Sequence, residues 1–337
     1  MTWAPGGIKL SLYRCKFVGR KPGFDMENFL VCLNAVTPIF LLMALGYAVK
    51  CLGYLNREDV AKLNKLLYRV FMPVLMFQNV YKSDLGRAFR PWLLLYAVAA
   101  VLTAFFLGIL FARLVSSDRR QRGVLVQVVY RSNFVIIGMP IAQSLMGDAD
   151  MGPVAILLAV VVPLYNVLAV IILEYYNGDR PDARKLLRDI LKNPLILGTL
   201  AAILLRLLPF RLPAAILNVT GQMSQTASAF LLVLLGAFFR FDGMRRRLKT
   251  LLLACVVRLL VIPGLFLNLA AVLGFRGVEL AGMLGIFASA MAATSFPMSQ
   301  QMGGDAELAG NCVVLTSVLC PFTLFLWCLL FKNSGWL

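Results

Sequence analysis

Apolar residues fill this chain in long runs separated by short polar and basic turns. Ten runs read as helical spans: 29–50, 60–81, 92–114, 122–146, 151–174, 194–208, 213–239, 249–273, 280–303 and 307–331. A bilayer core of about 30 Å takes about 20 mostly apolar helical residues to cross, since lipid offers an open backbone no hydrogen bonds. The second run is the weakest, with Lys62, Lys65 and Arg69 near its start, and the sixth is short. No stretch alternates as a strand would, so the expected fold is all-α and integral to the membrane.

The polar turns set an orientation. Lys and Arg crowd the loops after the first, third, fifth and seventh runs: Lys50, Arg57 and Lys62; Arg113, Arg119, Arg120 and Arg122; Arg180, Arg184, Lys185, Arg188 and Lys192; Arg240, Arg245, Arg246, Arg247 and Lys249. The alternate loops hold few. Basic loops stay cytoplasmic, so both termini are expected outside, in a multi-pass protein of the cell (plasma or inner) membrane. Residues 1–28 disagree: Lys9, Arg14, Lys16, Arg20 and Lys21 would hold the N-terminus inside. They read as an N-terminal extension without fixed structure, with Met26 the expected natural start. The loop 177–193 divides the chain into halves, 29–176 and 194–331. Its Leu186, Leu187, Ile190 and Leu191 predict a short amphipathic helix on the cytoplasmic surface.

The halves resemble each other where each run is interrupted. "NFVIIGMPIAQSLMGDA" begins at Asn133, and "SFPMSQQMGGDA" begins at Ser295. Aligning Pro140 with Pro297 also matches Gln143 with Gln300, Gly147 with Gly304, Asp148 with Asp305 and Ala149 with Ala306, at a constant offset of 157. Both copies lie in the fourth run of a five-run half. Five is odd, so the halves insert with opposite orientation. Proline has no N–H, and its ring clashes with the carbonyl four residues back, here Ile136 and Ala293. Two interruptions at matched depth predict broken helices four and nine meeting near mid-membrane, as in carriers built from inverted repeats.

Two arginines lie deep in this pattern. Arg131 and Arg258 each fall about nine residues into a run, roughly 13 Å along the helix. An arginine at that depth costs about 2.5–3.5 kcal/mol and needs a reason. Ligand binding is one; snorkelling or a bond to freed carbonyls is the other, and for each arginine both stay open. No Asp or Glu sits mid-run, so the buried charge is positive. Arginine, amide side chains and helix N-termini suit a carboxylate and suit a bare cation poorly. Gln127, Asn133, Thr294 and Ser295 are further polar candidates on the interrupted runs. Gln78, Asn79, Gln222, Ser224, Gln225, Asn166 and Asn311 lie on others.

Composition narrows the classes. Of 337 residues, 60% are hydrophobic and 15% charged, against roughly 45–50% and 25% in soluble domains. The net charge of +17 belongs to the loops, and no nucleic-acid motif accompanies it. Seven cysteines without a C-x-x-C pair, and no histidine, argue against a metal or redox site. A lipid-processing enzyme would need clustered carboxylates or a nucleophile with a base, and the runs contain neither.

The ordered motifs resemble the auxin efflux carrier family, which includes malate and malonate permease-like proteins and the plant PIN exporters. They are "PIFLLMALGYAVKCLGYLN" at 38–56, "LNKLLYRVFMPVLMFQNV" at 63–80, "RSNFVIIGMPIAQSLMG" at 131–147, "SAFLLVLLGAFF" at 228–239, "RLLVIPGLF" at 258–266 and "SFPMSQQMGGD" at 295–305. The resemblance implies ten transmembrane helices in two inverted five-helix repeats, with crossover helices 4 and 9 broken. It also implies scaffold and transport bundles, a homodimer and an elevator-like movement. The family's asparagine-to-proline stretch maps onto Asn133, Gly138 and Pro140, and its helix-nine proline onto Pro297. Plant members carry an asparagine where this chain has Ala290, a departure that withholds support from auxin as the substrate.

The expected function is secondary transport of a small organic anion such as a dicarboxylate. Asn133, Gln143, Ser295, Thr294 and Gln300 would line the site, with backbone at Gly138, Pro140 and Pro297, and Arg131 or Arg258 supplying charge. No cofactor, metal or nucleic acid is expected. Proton or sodium coupling stays open. The rivals are a cation-coupled organic solute symporter of related fold and a channel or sensor module.

Overall fold

The structure is a computed structural model describing residues 26–82, 90–147, 149–177, 183–207 and 212–337. Residues 1–25 of the expected extension, Asp148 of the repeat and residues 178–182 of the central loop lie outside them. The described residues are helical almost throughout, as apolar periodicity without strand alternation requires. The chain runs through α1 (Met26–Cys51), α2 (Arg57–Leu66), α3 (Met72–Tyr81), α4 (Pro91–Val115), α5 (Arg119–Tyr130), α6 (Met139–Met146) and α7 (Gly152–Asn177). It continues with α8 (Ala183–Lys192), α9 (Pro194–Leu207), α10 (Ala214–Phe238), α11 (Phe241–Arg246), α12 (Leu248–Val256) and α13 (Ile262–Val272). Last come α14 (Val278–Ala288), α15 (Ser295–Gln301) and α16 (Ala306–Asn333). Among the described residues, five helices are long and apolar enough to cross a membrane: Pro91–Val115, Gly152–Asn177, Ala214–Phe238, Leu248–Val272 and Ala306–Asn333. Shorter apolar helices accompany them at Val36–Cys51, Phe134–Met146, Pro194–Leu207 and Val278–Ala288.

Proline shapes several helices without ending them. Three wide π turns, Leu67–Phe71, Phe134–Gly138 and Val257–Val261, each stand two residues before a proline: Pro73, Pro140 and Pro263. The carbonyl that each ring would strike, four residues back, lies inside the widened turn. At Pro263 that carbonyl belongs to Leu259, and the Trp327 indole donates to it at 3.0 Å. α2 starts on a capping box: Asn56 Oδ1 accepts from the Glu58 and Asp59 main-chain N–H groups, and Asp59 accepts from Asn56 N. That cap lets the weak second run begin as a helix despite its lysines.

The helices pack in two neighbourhoods. α1 lies along α10, and α3 along α9 and α10. At the first crossing a Cβ on Gly46 would stand 2.7 Å from Val233 C, and one on Gly236 2.7 Å from Met43 C, so only glycine allows this approach. The second neighbourhood joins α4, α5 and α7 with α13, α14, α15 and α16.

The two ends of the molecule differ in charge. At one, Lys50 Nζ donates to Phe239 O at 2.6 Å, Arg119 Nη2 to Tyr175 O at 2.9 Å, and Asp305 N to Arg120 O at 3.1 Å, while Arg247 pairs with the Asp305 carboxylate. At the other, Arg90 pairs with Glu279 at 2.6 Å, and Gly277 N donates to Trp336 O at 2.9 Å. Lys50, Arg119, Arg120 and Arg247 of the basic loops belong to the first end.

Candidate functional site

The interrupted helices cross at their interruptions. α5 stops at Tyr130; Arg131 is extended, and Asn133 has φ −84° and ψ 52° before the π turn resumes the helix. α14 stops at Ala288, and Ser289 to Thr294 pass to α15. Between them lies an antiparallel bridge, Ser132 to Met291. Asn133 N donates to Ala290 O at 2.8 Å, and Ala292 N to Arg131 O at 3.3 Å. The backbone groups freed in one segment are therefore satisfied by the other, as a low-dielectric interior demands. Asn133 and Ala290, equivalent in the repeat, bond to each other.

This geometry corrects the expected cause of the break. Pro140 lies beyond the interruption, as the second residue of α6, and is exposed. The π turn absorbs the clash that would otherwise break the helix there. Pro297 is the third residue of α15, in a first turn where backbone N–H groups have no helical partner anyway. Both prolines help restart helices; pairing between the segments holds them open.

Close packing fixes the crossing. A Cβ on Gly138 would lie 2.6 Å from Gly285 Cα, and one on Gly285 2.8 Å from Gly138 Cα. Gly138 thus serves the crossing by what it lacks.

Arg131 is 2% exposed. Its Nη2 donates to Asn166 Oδ1 at 2.7 Å and Thr294 Oγ1 at 2.9 Å. Its Nη1 reaches Gln127 Oε1 at 3.1 Å, Met298 Sδ at 2.9 Å and Ser295 Oγ at 3.5 Å. Every acceptor is a neutral side chain, and among the described residues no carboxylate pairs with it. Beside it is a cavity of about 60 Å³ lined by Arg131, Ser132 and Asn133 from one segment, Ala292 and Thr294 from the other, Tyr165 and Asn166 of α7, Met76 and Asn79 of α3, and Ser228 of α10. Asn133 is 6% exposed and its side-chain Nδ2 has no hydrogen-bond partner. Buried donors are rarely left so.

Arg258 is fully buried, and its donors end differently. Nε reaches Ser289 O at 2.9 Å, Nη2 Ile286 O at 3.0 Å and Nη1 Val129 O at 3.1 Å. These carbonyls lie at the C-terminal ends of α14 and α5, where the helix dipoles are negative. Arg258 does not line the cavity; of its two open readings, its bonds match the one to freed carbonyls.

The remaining residues divide. Ser295 and Thr294 stand beside Arg131. Gln143 is exposed on α6 and lines none of the described cavity, three residues past Pro140 on the same outward face. Gln300 accepts a hydrogen bond from Asn64 Nδ2 of α2, also away from the cavity. Tyr165, Ser132 and Ser228 were not singled out from sequence. Tyr165 had no signal to find it: its hydroxyl meets Ser132 Oγ at 3.2 Å only once the helices pack.

The cavity adjoins a larger cleft. A cleft of about 370 Å³ shares Asn79 and Val135 with it and continues past Gln78, Lys82, Ser224 and Gln225. Toward the basic end, the Asn64–Gln300 contact and a 2.9 Å bond from Asn193 Nδ2 to Tyr68 OH intervene. A larger cavity of about 840 Å³, between Arg90–Ala99 and Leu273–Glu279, contains no residue of either interruption.

Comparison with known proteins places the chain among membrane transporters. A family model described as membrane transport protein matches residues 31–184 and 180–328, two stretches that meet where the sequence divides into halves. An uncharacterized transporter of Methanothermobacter thermautotrophicus is 23% identical over 305 residues, covering 89% of this chain and 98% of the relative. Another from Methanocaldococcus jannaschii is 21% identical over 308 residues, covering 88% and 98%. The chain belongs to the membrane transport protein family, that of the auxin efflux carriers, and is a multi-pass membrane transporter rather than an enzyme.

Proposed function

We propose that this protein is a secondary carrier of a small organic anion, bound where the two interrupted helices cross. The observation that carries this reading is Arg131: a buried guanidinium on a cavity wall, held by neutral acceptors alone. A substrate carboxylate would replace Asn166 Oδ1 and Thr294 Oγ1 with charged oxygens matching the guanidinium fork. Asn133 Nδ2 would supply the second donor. A bare cation finds no carboxylate in this wall, which disfavours a sodium site here.

The wider reading is ten crossings in two inverted halves, with the basic loops cytoplasmic. The cleft past Lys82 is then the outward entrance, and Asn64–Gln300 stands on the inward side. Alternating access would carry the crossed segments past α1, α3, α9 and α10 in an elevator-like movement. A homodimer formed through that scaffold fits the scheme, and coupling to protons would run through the substrate's own carboxyl.

Reconstitution into liposomes tests the reading. Uptake of short mono- and dicarboxylates should saturate and show counterflow, which a channel would not. Arg131→Gln and Asn133→Ala should each lower uptake by about 10–100-fold, the loss of one charge-assisted or desolvated hydrogen bond, while the protein stays monodisperse. Undiminished uptake by both variants would remove the cavity from the transport path.

A further inference from the structure

A second concave site lies at the basic end, away from the crossing. It is a cavity of about 320 Å³ lined by Lys50 at the end of α1, Leu55, Asn56, Arg57 and Val60 at the start of α2, and Ala237, Phe238 and Arg240 where α10 gives way to α11. Ligand cavities begin at about 300 Å³. Three cations face one hollow, and among the described residues none of the three is in an ion pair. Arg57 and Arg240 both stand within Coulombic reach of the Lys50 ammonium. Of the two carboxylates in the first turn of α2, Asp59 is committed to the capping box through Asn56 N at 3.0 Å, and Glu58 forms no ion pair among the described residues.

Loop cations of a membrane protein are ordinarily solvated singly, and these differ in being positioned. Lys50 Nζ is anchored on Phe239 O at 2.6 Å, which leaves two of its donors. The Arg57 guanidinium lies 5.9 Å from the centre of the Phe238 ring. Like charges converging without a counter-charge repel, and a multivalent anion relieves that repulsion. The apolar part of the wall, Leu55, Val60, Ala237 and Phe238, suits an ester chain beside the charge. Basic pockets of this kind, at a membrane surface, match phosphate headgroups.

We propose that Lys50, Arg57 and Arg240 form a phosphate-binding pocket, separate from the transport site, that takes a phospholipid headgroup or a free phosphate. It joins α1, α2 and α10 at the point where the chain leaves for α11.

Thermal unfolding of the full chain in neutral detergent tests this. Phosphatidylglycerol is added in mixed micelles against phosphatidylcholine, and sodium phosphate against sodium chloride at equal ionic strength. Ligand binding to the folded state should raise the wild-type melting temperature by about 2 °C or more. A shift with phosphatidylglycerol alone identifies a lipid headgroup; a shift with phosphate as well identifies the free anion as sufficient. Arg57→Gln with Arg240→Gln should abolish the shift. Arg245→Gln with Arg246→Gln removes the same charge from exposed α11 positions outside the pocket and should keep it. Should the first pair fail to fold, Arg240→Gln alone is titrated, with a midpoint raised about tenfold. No wild-type shift in either arm, an unmoved midpoint, or equal loss in both double variants, would overturn the proposal.

Discussion

Arg131 and Arg258 both serve one helix crossing, both buried and, among the described residues, neither paired with a carboxylate, yet their donors go to different partners. Those of Arg258 end on three main-chain carbonyls, Val129, Ile286 and Ser289. Those of Arg131 end on side chains, two of which line the cavity. Carbonyls at a helix end cannot leave without unwinding the helix, whereas neutral side-chain acceptors can yield to a better anion. One arginine substitutes for the missing turns of two helices; the other rests on side chains, the kind of acceptor that the proposed anion would replace. Burial and depth alone could not distinguish them.

The largest expected effect breaks that comparison through stability. Arg258→Gln leaves carbonyls of both helix ends unsatisfied and should destabilise the fold by about 3 kcal/mol or more, since each bond to a charged group contributes about 1.5–3 kcal/mol. Arg131→Gln, whose neutral partners can bond one another, should lose far less. Melting temperatures of the two variants, measured without substrate, check this. A cost for Arg131→Gln equal to that of Arg258→Gln would make both arginines structural and leave the cavity without an exchangeable cation.

A smaller effect is expected where the crossing is tightest. Gly138→Ala places a methyl group 2.6 Å from Gly285 Cα and as close to the Phe134 ring. Overpacking of this kind costs about 1–3 kcal/mol. The variant should show a lowered melting temperature together with weakened substrate binding, because spreading the crossing also moves Asn133 away from Ala290 O. Loss of stability with unchanged binding would separate the crossing from the site.

Much of this architecture was legible in the sequence. The apolar runs located the helices because a bilayer enforces length and composition, and the matched motifs at 140 and 297 located the crossing because both halves solve the same problem. The α8 helix was visible in the spacing of Leu186, Leu187, Ile190 and Leu191. Legibility stopped where three-dimensional partners decide. Proline reads as a breaker, but a π turn upstream neutralises Pro140, and no residue type announces a π turn. Gln143 and Gln300 match in the repeat, yet Gln143 faces outward while Gln300 meets Asn64, a residue 236 positions away. Tyr165 enters the cavity through α7, which the repeat motif does not mark.

The smallest predicted effect separates these two accounts of the break. Pro140→Ala restores a backbone N–H near the carbonyl of Ile136 at an exposed position of α6. If the interruption is held by the Ser132–Met291 bridge and the Gly138–Gly285 contact, the segment stays open. Stability should then change by no more than about 1 kcal/mol, within the range for a surface proline exchange, and uptake should persist. If the proline itself holds the helix open, the same substitution lets the helix close through Arg131–Asn133, and transport falls as far as in Asn133→Ala. Uptake by Pro140→Ala, set beside Gly138→Ala in the same liposomes, therefore reports whether ring or crossing keeps the site apart. The hydrogen bonds at 2.8 and 3.3 Å between the two segments favour the crossing.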